Sequence, residues 1–186
     1  SRWAVLWAAG EARLRDANLR LAHIRRSVGN DRVVGDAESR AETLLGARLA
    51  DASQLEPEIA VTARIYESQS ISDQLIKLSA AAALLVLGIA AARPRADHGI
   101  RGPLEDRVAV HAQCPVVSVN GPGPIVGREY DKIVVGWIEG TTGRRALAVA
   151  AEEAALRGSL LSIVTVSPPA DSPALSSERT NVEPAL

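Results

Sequence analysis

The sequence has 186 residues, of which 47% are hydrophobic and 23% charged, a globular composition that excludes disorder throughout. Its 21 basic and 22 acidic side chains are intermixed and give a net charge of −1, so nucleic acid is not an expected partner. The longest apolar run, 78–92, is shorter than the ~20 residues of a transmembrane helix, so no membrane partner is expected.

Helical and strand patterns alternate along the chain. The first helix carries Trp3, Leu6, Trp7 and Leu14 at helical spacing, which predicts that this face is buried. In chain order the predicted elements are helix 2–16, strand 19–24, helix 36–54, strand 59–66, helix 72–80, strand 82–87, helix 103–112, strand 116–119, strand 132–137, helix 143–157 and strand 160–166, followed by a Pro/Ser-rich tail from Ser167. This alternation predicts a doubly wound α/β fold with a parallel sheet.

An internal repeat relates residues 2–19 to residues 144–161. The two segments align without gaps at a constant offset of 142 residues, with matched alanines at several positions. Charged residues and leucines also match, which alanine-rich composition alone does not explain. The pairs are Arg2 and Arg144, Glu11 and Glu153, Leu14 and Leu156, Arg15 and Arg157, and Leu19 and Leu161.

The length of the offset indicates repeated domains, because 142 residues is the size of a domain and not of a solenoid repeat. The predicted division is a first domain at 1–119, a linker at 120–130 and the incomplete start of a second domain at 131–186. Strand 132–137 precedes the second copy of the helix, and its counterpart would lie before Ser1. We therefore expect the first domain to lack its opening strand.

The glycines at 121–127 follow a strand, but the intervening prolines favour a linker over a dinucleotide-binding loop.

Four segments, taken in order, resemble the universal stress protein family. The resemblance implies a five-stranded parallel sheet of the adenine nucleotide α-hydrolase-like type, in two tandem copies. It is carried by Val134-Val135-Gly136, the helix Ala146 to Gly158, Leu84-Leu85-Val86-Leu87-Gly88 and His111-Ala112-Gln113-Cys114-Pro115-Val116.

The same resemblance implies a nucleotide loop between residues 88 and 103. Many family members bind ATP through spaced glycines followed by a Ser or Thr, where backbone N–H groups approach phosphate. Gly88 and Gly102 fit the first and third glycines, whereas Ala91 takes the place of the second and Pro103 that of the hydroxyl residue. Arg101 lies beside the third glycine. In the second copy, the end of the opening strand holds Gly136, and Ile138 replaces the aspartate that the family uses near adenosine.

The resemblance favours a non-enzymatic stress-response module that works by interaction and assembly. It implies self-association through the edge of the strand holding Val116, Val117 and Val119, or an intramolecular pseudo-dimer. The alternative is a sensor that binds ATP or AMP with weak or no hydrolysis. A third hypothesis, a flavodoxin-type domain, depends on the faintly similar loop 140–143.

Other reactive residue types favour structural roles. The lone Cys114 cannot form an internal disulfide, which favours a reducing cytoplasmic location, and its place before a buried strand favours packing over reactivity. His23, His98 and His111 are far apart in sequence and lack metal-ligand spacing. No nucleophile motif is present, so no enzyme, no metal and no certain cofactor is predicted.

Overall fold

The computed structural model describes residues 1–26, 34–89, 103–120, 132–165 and 179–182. The chain divides into two compact units, Ser1–Val126 and Gly127–Leu186, and each is described by itself. The division falls within the range 120–130 that the sequence predicts as linker. Apart from Asn120, that range lies outside the described residues.

The first unit alternates helices and parallel strands, as the sequence pattern predicts. Its elements are α1 (Arg2–Leu14), β1 (Leu19–Arg26), α2 (Val34–Leu55), β2 (Val61–Ser68), α3 (Ile71–Ser79), β3 (Leu85–Ile89), α4 (Pro103–His111) and β4 (Val116–Asn120).

Two separate pairs of strands make up the first unit. Strand β1 pairs with β2 and β3 pairs with β4, both in parallel, and among the described residues no hydrogen-bonded ladder joins β1 to β3. The expected continuous five-stranded sheet is therefore not what these residues form. Among the described residues, α1 packs against both β1 and β3, and the cavity that both strands line separates them.

The buried face of α1 differs in part from the prediction. Leu6 is buried as predicted, but Leu14 is 40% exposed and both tryptophans are half-buried, whereas Ala4, Ala8 and Ala12 are buried. Small side chains allow the helix to approach the strands closely, so the alanine stripe faces the core.

Ion pairs hold α1 against α2. The Arg2 guanidinium lies 3.2 Å from the Asp51 carboxylate near one end, and Arg13 lies 3.0 Å from Glu56 near the other. Glu56 is buried, so its charge depends on this partner more than a surface carboxylate would.

The second unit is built from β5 (Lys132–Trp137), α5 (Thr141–Arg157), β6 (Leu160–Thr165) and β7 (Arg179–Val182). Strands β5 and β6 are parallel, and β7 pairs with the other edge of β6 in the antiparallel sense. The sequence predicted only a tail after Ser167, which is wrong at β7. Its four residues satisfy an open edge of β6, and such a short strand has no detectable alternation of its own.

Candidate functional site

Strands β1 and β3 line a common cavity in the first unit, which runs along both strands and includes residues that precede them. In open α/β folds, ligands bind beyond the carboxyl ends of the strands, where neighbouring strands connect in opposite directions. Here β2 lies beside β1, and β4 lies beside β3, so this reversal falls between β1 and β3. The cavity has a volume of about 850 Å³ and is lined by residues 18–23 on one side and 81–88 on the other, within the range of ligand pockets.

Of the two predicted loop residues that are described, Gly88 and Pro103, the cavity is lined by Gly88. It lies near the end of β3 and lines the cavity, with the first turn of α1 against it. A Cβ added to Gly88 would collide with the Ser1 side chain and lie 3.1 Å from the Cβ of Ala4. Gly88 is therefore a point of close approach between β3 and the start of α1, and its predicted role at a phosphate stays a prediction.

The remaining residues of the predicted nucleotide loop fall outside what the structure describes. Ala91, Arg101 and Gly102 belong to the segment 90–102, which is not described. Pro103 is the first residue of α4 and has no N–H to offer a phosphate. The structure thus places the two ends of the loop, at β3 and α4, and leaves its interior untested.

In the second unit, the predicted positions Gly136 and Ile138 lie at the end of β5. Both are exposed, Ile138 at 60%. The chain then turns at Gly140, whose φ of +109° favours glycine. Gly143, in the first turn of α5, packs so closely on the Ile138 carbonyl that a Cβ would collide with it.

The amino end of α5 is open to solvent and has no acidic residue in its first turn and no side-chain cap. Thr141 and Thr142 are exposed there, and Arg144 lies 3.5 Å from the Thr141 hydroxyl. Free N–H groups at a helix start favour anions. The loop 140–143 therefore lies at the positive end of the α5 dipole. This is the loop on which the flavodoxin hypothesis depends.

A buried ion pair at the cavity was missed by sequence analysis. Glu11 is 4% exposed and lines the cavity, and Arg15 lies 2.6 Å from its carboxylate. The repeat carried the signal, because Glu153 and Arg157 form the same pair on α5. Glu153 and Arg157 are half-buried, so the spacing and the pairing are repeated while the full burial of the carboxylate belongs to Glu11 alone among these two acids.

The reactive side chains of the described residues fit structural roles. Burial raises the pKa of the half-buried Cys114 thiol, which reduces thiolate at neutral pH. Across the described ranges, no group of His, Cys, Asp and Glu is arranged to hold a metal. Nor does this part of the chain contain a helix with the length and apolar character to cross a membrane.

Solved structures resemble this architecture. A universal stress protein from Archaeoglobus fulgidus DSM 4304 aligns with a TM-score of 0.71 at 17% identity, over 91% of this chain and 63% of that one. The fold is that of the universal stress proteins. A universal stress protein solved in complex with cAMP aligns with a TM-score of 0.51 at 20% identity, over 64% of this chain and 86% of that one. No family model matches the sequence, and neither does any curated protein.

The universal stress fold accounts for the positions of β3 and α4 around the predicted loop. At 17–20% identity the likeness concerns the path of the backbone, so the role of each side chain depends on the chemistry of this chain. The closely packed Gly88 and the reversal between β1 and β3 are the features of this chain that point to a ligand site.

Proposed function

We propose that this chain is a stress-type binding module that takes an adenine nucleotide at the carboxyl ends of β1 and β3 and does not hydrolyse it. The observation that carries the proposal is the position of Gly88, which lies near the carboxyl end of β3, lines the cavity, and is next to the point where the strand order reverses. The cAMP found in a protein of the same fold supports the choice of an adenine nucleotide. A reducing cytoplasmic location fits the single unpaired cysteine.

The sequence between β3 and α4 supplies cationic groups for the phosphate. Arg93, Arg95, His98 and Arg101 all fall within this segment, and guanidinium groups form strong charge-assisted hydrogen bonds to phosphate. Two residues weaken the nucleotide loop as a phosphate site: Ala91 adds a Cβ where the family has glycine, and Pro103 has no N–H to donate. The proposed affinity is therefore modest, in the micromolar to millimolar range.

The test is calorimetric titration of the full chain with cAMP, AMP and ATP. Ala91→Gly and Pro103→Ser restore the glycine and the hydroxyl of the family's loop, so each is expected to tighten binding. Gly102→Val is expected to abolish it. Ala109→Gly, at an exposed position of α4, is the control that leaves the loop sequence unchanged.

Affinity weaker than millimolar in the wild-type chain and in the doubly restored variant would overturn the nucleotide proposal. Equal affinity in the wild type and Gly102→Val would also overturn it, because the ligand would then bind elsewhere. Release of phosphate from ATP above the buffer rate, lost in Gly102→Val, would contradict the non-enzymatic part alone.

A second candidate function is assembly through the edge of β4. Strand β4 is the last in its pair, and among the described residues only β3 pairs with it. Val116 and Val117 are half-buried and Val119 is 7% exposed. Strand β4 therefore combines apolar side chains with backbone N–H and C=O groups that have no strand partner on one edge. Such an edge is a template for pairing with another strand.

The assembly proposal is tested by the mass of the full chain in solution. Leu85 donates its N–H to the Pro115 carbonyl, so the parallel register turns Val117 toward β3 and Ser118 toward the open edge. Ser118→Pro removes one N–H from that edge, so it is expected to convert a dimer into a monomer. The control is Val110→Lys, which changes a 75% exposed side chain of α4 and leaves the edge of β4 unaltered. A wild-type chain that is monomeric at all concentrations would overturn this candidate.

A further inference from the structure

One face of the β1–β2 pair carries arginines and no acid. Arg20 lies opposite Thr62, and Ala22 lies opposite Arg64, in the parallel register. Because residues two apart on a strand share a face, Arg20 and Arg64 lie diagonally across the same face, with Thr62 next to both. None of the residues on this face is acidic. They are Arg20, Ala22, Ile24, Arg26, Thr62, Arg64, Tyr66 and Ser68.

The two arginines are open to solvent and have no acid partner. Arg20, Ala22, Thr62 and Arg64 are exposed, whereas Leu21 on the opposite face is buried. Arginines on α1, α2, α4 and α5 are held by acids, but among the described residues neither Arg20 nor Arg64 forms such a pair. Two neighbouring positive charges repel each other, so this face favours an anion that binds both.

The two units match at their helix ends, which allows their strands to be compared. Ala17 donates its N–H to the Ala12 carbonyl at 2.8 Å, and Ser159 donates to that of Ala154 at 2.9 Å. The repeat at an offset of 142 residues is therefore structural, and it equates β1 with β6.

The equivalent positions of β6 show that the fold does not require these charges. The residues equivalent to Arg20 and Ala22 are Ser162 and Val164, and Ser162 is 3% exposed. Strand β6 lies between β5 and β7, so a charge that protects a sheet edge from pairing has no purpose at this position. Strands added to a sheet lie in its plane, so a strand at the other edge of β1 would leave the face of Arg20 open.

The spacing of the two arginines matches an extended partner. Along the strand direction Arg64 lies two residues beyond Arg20, a distance of ~6.6 Å. Side chains at alternate positions of an extended peptide have the same spacing, so two acids separated by one residue can each meet an arginine. Carboxylates form charge-assisted hydrogen bonds with guanidinium groups, and Thr62 adds a hydroxyl group between them.

We propose that Arg20 and Arg64, with Ala22 and Thr62, form an arginine face that docks an extended acidic segment of a partner protein. Single-stranded nucleic acid needs aromatic side chains for stacking, and Tyr66, the one aromatic residue of this face, is half-buried. Ion pairs at exposed positions are weak, so the affinity is modest and falls as salt screens the charges. The proposal is independent of nucleotide binding.

The first experiment measures the binding of a fluorescent acidic peptide to the full chain by anisotropy, at low and at physiological salt. The peptide alternates Glu and Thr, and the matched peptide has Gln in place of every Glu. Only the acidic peptide is expected to bind. Arg20→Gln and Arg64→Gln are each expected to weaken binding by about two- to fivefold. Arg40→Gln removes an exposed arginine of α2 and is the control with no expected effect.

The second experiment reverses the charge of the face. The double variant Arg20→Glu with Arg64→Glu is expected to lose the acidic peptide and to bind a peptide of alternating Lys and Thr. Its melting temperature is expected to stay close to that of the wild type, because both side chains are exposed. In the wild-type chain, the acidic peptide is expected to shift the amide resonances of residues 19–22 and 61–64.

Equal binding of the Glu and Gln peptides to the wild-type chain would overturn the proposal. So would wild-type affinity in both Arg20→Gln and Arg64→Gln, or an equal loss in Arg40→Gln. Amide shifts confined to other elements would place the peptide elsewhere and would reject the arginine face. A single-stranded oligonucleotide that binds this face more tightly than the acidic peptide would refute the choice of partner.

Discussion

Gly88 of β3 packs directly against Ala4 of α1. The Cβ of Ala4 is 3.1 Å from where a Cβ on residue 88 would stand, and the Ser1 side chain is nearer still. This contact fixes how closely the helix approaches the strand. Both residues also line the cavity beside which the nucleotide is proposed to bind.

The first prediction concerns that contact. Gly88→Ala is expected to destabilise the first unit by about 1 to 3 kcal/mol, because overpacking forces the helix away from the strand. Urea unfolding measures the loss. Gly136→Ala in β5 is the matched control, since nothing lies within 4 Å of its added Cβ, and it is expected to be neutral or slightly stabilising. Equal effects of the two substitutions would contradict the close packing at Gly88.

The sequence predicted the class and order of the elements better than their packing. Alternation of helix and strand patterns was enough for the α/β fold, and the repeat led to the matched helix ends. The prediction that the tryptophans of α1 are buried was wrong. Helical periodicity locates an apolar stripe, but it does not determine whether Trp3 or Ala4 faces the strand. Whether an alanine faces the core depends on how closely the opposite strand approaches the helix, and the sequence of the helix alone does not specify that distance.

The candidate site was predictable only in part for a similar reason. Gly88 could be found by its place at the end of an apolar strand, but the cavity is formed by residues from β1, β3 and α1 that are far apart in sequence. The Glu11–Arg15 pair has ordinary helical spacing, and its burial follows from tertiary contacts alone. Strand β7 was not predictable for the same reason, because it is defined by its pairing with the free edge of β6.

The second prediction concerns the ends of the two equivalent helices. Asp16 has a left-handed backbone, φ +48°, at the position that Gly158 fills in the second unit. Asp16→Gly is expected to stabilise the chain by up to about 1 kcal/mol, because glycine has no Cβ to strain there. Gly158→Asp is expected to destabilise it by a similar amount. Thermal unfolding of both variants checks the sign, and a loss of stability in Asp16→Gly would contradict the equivalence.

The third prediction concerns Ser79 at the end of α3. Its hydroxyl is buried, donates to the Ile76 carbonyl at 2.6 Å and accepts from the Gln113 N–H at 2.9 Å. Ser79→Ala removes both hydrogen bonds of this buried hydroxyl and is expected to cost about 1 to 2 kcal/mol. Ser39→Ala, at an exposed position of α2, is the control with no expected effect. Faster amide exchange at Gln113 in Ser79→Ala would locate the damage, and unchanged exchange there would refute the assignment.

The fourth prediction concerns the pH dependence of the contact between α3 and α4. The hydrogen bond with Ser70 and the Arg107 guanidinium, 2.8 Å away, lower the pKa of Asp73. A lowered pKa in the folded state means that Asp73 stabilises the fold at neutral pH. This contribution is lost as pH falls below the ordinary aspartate value and through the lowered one. Asp73→Asn is therefore expected to lower the melting temperature at pH 7, with the difference shrinking under acid. Arg107→Ala should weaken the pH dependence, and a difference between Asp73→Asn and wild type that grows under acid would contradict the assignment.

The fifth prediction concerns Cys114, at the turn before β4. Burial raises the pKa of its thiol, and the thiolate is the species that reacts with alkylating agents. Iodoacetamide is therefore expected to modify the folded chain more slowly than the urea-unfolded chain, with a rate that rises with pH above neutrality. A peptide spanning 111–117 gives the reference rate for an unburied thiol. Because Cys114 lies two residues before β4, binding of a partner along that edge would slow the reaction further. A rate that equals that of the peptide would contradict the burial of the thiol.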